Sequence, residues 1–97
     1  MIIKLNEVQK ALLLATLSAC KSLHTHVPWN YIFNKLNTRL RNKYGKKLKS
    51  KHFRKLIILG LVMRHPTAGE MTYELSKQGL DLAKKIYNEE KGYKFPY

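Results

Sequence analysis

Thirteen lysines and arginines stand between Glu7 and Glu70, and no aspartate or glutamate interrupts them. The other six basic residues and all six acids lie at or beyond the ends of that stretch, so the net charge of +13 belongs to the middle of the chain. Such a block repels itself unless something anionic sits against it. Nucleic-acid backbones reward clustered Lys and Arg, because each neutralised phosphate releases condensed counterions. A solvated basic face with no specific partner is the plainer alternative. Bond-making chemistry finds no support. No acidic pair, no phosphate-cradling glycine loop and no Ser, His and Asp arrangement at a recognisable spacing is present. Neither an enzyme nor a cofactor is expected.

Two smaller features invite chemistry. His24 and His26 alternate, so on a strand they share a face, but no cysteine or carboxylate is near in sequence to complete a metal sphere. They are read as ordinary strand histidines, with no metal. The single cysteine, Cys20, cannot build an internal disulfide framework, which suits an intracellular protein. On an apolar helix stripe it reads as a small buried hydrophobe. A disulfide between subunits is the sharper alternative.

The elements that must position these groups fit one domain over residues 1–97 with one modest core. The hydrophobic fraction of 44% and ten aromatic residues favour a folded chain over a disordered basic tail. The longest apolar run, residues 11–15, is too short to span a membrane. Asn6 and Gln9 have the form of a capping box, followed by Val8, Ala11, Leu12, Ala15 and Ala19 with Leu13, Leu17 and Cys20 beside them. That predicts a helix over residues 7–22 with an unusually wide apolar stripe. Residues 24–27 suit a brief strand. Pro28 suits the first position of a second helix, whose apolar face (Trp29, Phe33, Leu36, Leu40) continues to a C-terminal cap at Gly45.

Lys46, Lys47 and Lys49 then form a basic connector, with Ser50 as N-cap of a third helix over residues 50–59. Its inner face is Phe53, Leu56 and Ile57, and Gly60 stops it. Leu61, Val62, Met63, Arg64 and His65 read as a strand. Residues 66–69 make a turn, and Met71, Tyr73 and Leu75 alternate as a returning strand. Ser76 caps a final helix with apolar positions Leu80, Ala83, Ile86 and Tyr87. Residues 92–97 are expected to be extended.

The segment Ser50-Lys-His-Phe-Arg-Lys-Leu-Ile-Ile-Leu-Gly-Leu-Val62 resembles the recognition helix and strand entry of winged-helix transcription regulators. Tyr73-Glu-Leu-Ser-Lys-Gln-Gly79 is similar to the Tyr-x-Leu-Thr-x-x-Gly that closes the wing in that family. The match covers about residues 50–85, while the first half agrees in element order only. The second helix is longer than the family's, and the connector after it richer in lysine. The composition, rich in Lys, Asn, Ile and Tyr, also resembles that of small winged-helix proteins of archaeal viruses.

The resemblance implies an α+β winged helix-turn-helix: a three-helix core, a short β-hairpin wing and a C-terminal helix. It also implies double-stranded DNA as partner, a role in transcription regulation, and a third helix lying in the major groove with the wing beside it. Ser50, Lys51, His52, Arg54 and Lys55 are then the base-reading candidates, and the planar fork of Arg54 suits guanine. Lys43, Lys46, Lys47 and Lys49 suit phosphates as point charges, and Arg64 and His65 on the wing suit backbone or minor groove. Arg39 and Arg41 fall on the same side more loosely.

A homodimer is expected through Leu13, Leu17, Cys20, Leu80, Ala83, Ile86 and Tyr87, whose apolar surface exceeds what one small core needs. Two competing functions remain. One is a winged-helix protein that coats DNA without sequence preference or binds structured RNA. The other is a protein–protein module using the wing with Tyr93, Phe95 and Tyr97. No small-molecule pocket is evident from sequence. The expected location is the cytoplasm, that of a host if the protein is viral.

Overall fold

The computed structural model describes residues 3–89 of the chain. Helix α1 (Glu7–Cys20) begins with the expected capping box. Asn6 Oδ1 accepts from the Gln9 amide at 2.8 Å, and the Asn6 amide donates to Gln9 Oε1 at 3.0 Å. It ends at Lys21, whose φ of +65° reverses the chain, so the helix stops two residues short of the expected end at residue 22. Residues 11–16 are all buried, and the Thr16 hydroxyl donates to the Leu12 carbonyl at 2.8 Å. The wide stripe has a physical reason within one chain. Helix α1 is the central element, and every helix that follows except one packs on it, as does the hairpin's second strand.

Strand β1 (Val27–Pro28) leads into α2 (Trp29–Lys35), with Pro28 ending the strand and capping the helix rather than opening it. The expected long second helix is in fact two. Leu36 turns extended (φ −79°, ψ 150°), and Asn37 Oδ1 accepts from the Leu40 amide at 2.8 Å to start α3 (Thr38–Tyr44). The apolar spacing runs unbroken through the corner because Leu36 and Leu40 are buried on either side of it. Gly45, at φ +51°, ends α3 as expected.

A second correction concerns the third helix. Ser50 is not its N-cap, and Lys47 and Lys49 of the lysine connector are already helical. Residues Leu48–Phe53 form a π-helical turn that runs directly into α4 (Arg54–Ile58). The Ser50 amide and hydroxyl both donate to the Lys46 carbonyl, each at 3.1 Å. Leu48 and Phe53, both fully buried, explain the π turn. Five positions apart, they would diverge by about 140° at the roughly 100° per residue of an α-helix. Hydrogen bonding from residue i to i+5 returns them to one face, with Lys49, Ser50, Lys51 and His52 carried outside. The Arg54 amide completes the turn on the Lys49 carbonyl.

Gly60, at φ +77°, stops the helix as expected. Strands β2 (Val62–Pro66) and β3 (Met71–Leu75) form the expected hairpin, and β1 adds to β3 to give a three-stranded antiparallel sheet of order β1-β3-β2. Ser76 starts α5 (Lys77–Glu89). Its hydroxyl accepts from the Gly79 amide at 2.9 Å and donates to the Gly60 carbonyl at 2.6 Å, tying the new helix to the end of the third. The chain is thus α+β, with helices around α1 and the sheet against one end. Residues 92–97, and with them Tyr93, Phe95 and Tyr97, lie outside the described residues. Among the described residues no helix is long and apolar enough to cross a membrane.

Candidate nucleic-acid interface

The expected third helix, realised as Leu48 through Ile58 (the π turn and α4), anchors itself by Leu48, Phe53 and Leu56. Phe53 is the central fastening. Its ring lies 4.8 Å from that of Trp29 in α2 and 5.0 Å, edge to face, from that of Tyr73 in β3. Such a fixed ring chain holds the helix against the sheet and leaves its far side to solvent. Lys49, Ser50, Lys51, Arg54 and Lys55 are exposed there, and His52 is half-buried. The apolar Ile58, one turn beyond Arg54, is also exposed, at 65%. Ile58 carries no separate signal in the sequence, because Leu56 and Ile57 before it suffice for the inner face.

The hairpin contributes one cation. Neighbouring strand residues point to opposite faces. Arg64, paired with Tyr73, therefore turns toward the third helix, and His65, paired with Thr72, turns away. Arg64, Arg54, Lys49 and Ser50 line one cleft of about 370 Å³, floored by Phe53, Ile57 and Tyr73. His65 instead stacks on His26, ring centroids 4.0 Å apart and planes within 11°. The Thr72 hydroxyl links the pair, donating to the His65 carbonyl at 2.5 Å, so that its oxygen accepts from His26 Nδ1 at 3.1 Å. His24 takes no part in that pair: it turns at φ +68° and β1 begins only at Val27, so His24 and His26 do not share a strand face as expected.

On the other flank, Lys43 Nζ lies 5.4 Å from the Tyr44 ring centre, and Tyr44 meets the His52 ring edge-on at 5.3 Å. The end of α3 is thereby held beside the third helix, with Lys46 and Lys47 exposed between them. Burial, and then the neighbouring Lys51 charge, push the His52 imidazole below its ordinary 6.5. Arg39 is exposed. Arg41 is occupied locally, lying 5.8 Å over the Phe33 ring and donating to the Thr38 hydroxyl at 3.1 Å. Among the described residues no carboxylate pairs with Lys43, Lys46, Lys47, Lys49, Lys51, Arg54, Lys55 or Arg64; the ion pair present is Lys10 with Glu7, at 3.8 Å.

The residues expected at a subunit contact divide. Leu13, Cys20, Ala83 and Ile86 are buried in the chain's own core, Leu17 and Leu80 are half-buried, and Tyr87 is 51% exposed. The Cys20 thiol donates weakly to the Tyr73 carbonyl at 3.7 Å, and burial, with Glu74 nearby, raises it to about 11. The apolar surface that suggests pairing is in large part used within one chain. Comparison with protein-family models, with curated proteins and with solved structures finds no match to this chain.

Proposed function

We propose that the protein binds double-stranded DNA with sequence preference and acts as a winged-helix transcription regulator. In this reading the third helix enters the major groove, and the β2–β3 hairpin lies as a wing along the adjacent backbone. One observation carries it: an acid-free face in which Lys51, Arg54, Lys55 and Ile58 project from one helix while Arg64 of the hairpin flanks Arg54. Charge alone would serve any polyanion. A rigid helix with a guanidinium fork and an exposed apolar side chain one turn later also suits base edges, guanine for Arg54 and a thymine methyl for Ile58. Lys43, Lys46, Lys47 and Lys49 surround that reading surface as phosphate contacts. A single copy carries this surface, and most of the apolar residues expected to pair are internal to it.

Selecting bound sites from a random duplex library tests it. The enriched duplex should then outcompete random duplex by about a thousandfold and folded RNA by at least as much. Equal binding to all duplexes would favour a non-specific coat, the reading that the net charge of +13 supports by itself.

A further inference from the structure

The cleft between the third helix and β2 has more apolar floor than a backbone phosphate needs. Phe53 and Tyr73 are buried rings, Ile57 is half-buried beside them, and Lys49, Arg54 and Arg64 stand around the opening. No carboxylate lines it, and the Ser50 hydroxyl spends its proton on the Lys46 carbonyl. A phosphate on a duplex surface meets cations without touching such a floor, whereas a flat ring carrying one anionic group satisfies both halves. The volume, about 370 Å³, lies in the range of small-ligand sites, at its lower end.

We infer that this cleft is a binding site for a small aromatic anion, a ring bearing a carboxylate or phosphate. The ring lies over Ile57, with the buried Phe53 and Tyr73 rings closing the base beneath it, and the anionic group is held between Arg54 and Arg64. Resting on the DNA-binding reading, the inference adds a mode of regulation. Arg54 and Lys49 serve both ligands, so an occupied cleft neutralises part of the interface and releases the duplex.

The test follows the side-chain NMR signals of Phe53, Ile57 and Tyr73 in the full chain, at fixed ionic strength. The probes are benzoate and phenyl phosphate at millimolar concentration, with benzamide and inorganic phosphate as the ring-only and charge-only comparisons. Saturable shifts with either aromatic anion, much larger than with the two comparisons, are expected. Arg64→Gln, on an exposed strand position, should weaken that binding about tenfold. Arg54→Gln gives the same test from the helix should Arg64→Gln disturb the hairpin. The same aromatic anion should displace a labelled duplex from the parent protein. If neither anion moves these signals, or benzamide or phosphate moves them equally, the inference is overturned. If the anion binds while no duplex does, the DNA-binding reading fails and the site itself stands.

Discussion

Phe53 and Tyr73 meet edge to face, ring centroids 5.0 Å apart and planes at 83°, and this contact fixes the third helix against the hairpin. Arg54 follows Phe53 in the chain, and Arg64 is the sheet partner of Tyr73. One aromatic contact therefore sets the spacing of the two guanidinium groups that flank the cleft. The basic block of the sequence becomes a surface of defined shape because its cations hang on a buried aromatic chain.

Lysines that only hold phosphates act on every duplex alike. Replacing Lys46, Lys47 or Lys49 by Ala should weaken selected and random duplex by the same factor. Each change should lower the magnitude of the logarithmic salt slope by about one. Titrations across a salt series check this, and a loss confined to the selected duplex would make that lysine a base reader.

His52 carries the expected pH dependence. The fold depresses its pKa below 6.5, so the neutral ring is favoured; its contribution to stability is intact above that value and is lost as pH falls through the folded pKa. Phosphates favour the charged ring instead. Duplex affinity should therefore rise as pH is lowered from about 7.5 to 5.5, and His52→Gln should remove a measurable part of that rise. An unchanged pH profile in His52→Gln would take this residue out of the interface.

Cys20 should behave as a buried thiol. Raised from 9.0 to about 11, it carries roughly a hundredfold less thiolate at neutral pH before access is considered. Alkylation of the native protein should be slow and should become fast on unfolding in denaturant. Labelling at the rate of a free cysteine would contradict the packing of α1 against β3.

Gly79 separates packing from propensity. A Cβ at this position in α5 would be driven into the backbone carbonyl of Leu61. Intrinsic helix propensity alone predicts that Gly79→Ala stabilises by about 1 kcal/mol. The overlap with an unyielding backbone predicts a loss of about 1–3 kcal/mol instead. Equilibrium urea unfolding decides by its sign.

What was legible in the sequence was local. The Asn6–Gln9 box, the stops at Gly45 and Gly60, the hairpin turn and the Ser76 cap each depend on a few neighbouring residues. The corner at Asn37 was hidden because the spacing of Trp29, Phe33, Leu36 and Leu40 satisfies one helix as well as two. The π turn is hidden because a helix starting at Ser50 excludes Leu48, so its distance of five from Phe53 raises no conflict. Pairing of β1 with β3, the burial of Leu13 in the chain's own core, and the need for glycine at Gly79 are all non-local. They come from elements far apart in the chain. Of the interface, the cations of the third helix were readable. The cleft was not, because it depends on which way Arg64 and His65 turn and on Phe53 meeting Tyr73.

The most direct test of base reading at the third helix compares the parent with Arg54→Ala and Arg54→Lys on selected and random duplex at one salt concentration. Arg54→Ala should cost roughly 1–3 kcal/mol on the selected duplex and much less on random DNA. Arg54→Lys, which keeps the charge and loses the fork, should also lose discrimination. If Arg54→Lys binds the selected duplex as well as the parent, and Arg54→Ala weakens both duplexes equally, Arg54 holds a phosphate and the sequence-specific account is contradicted.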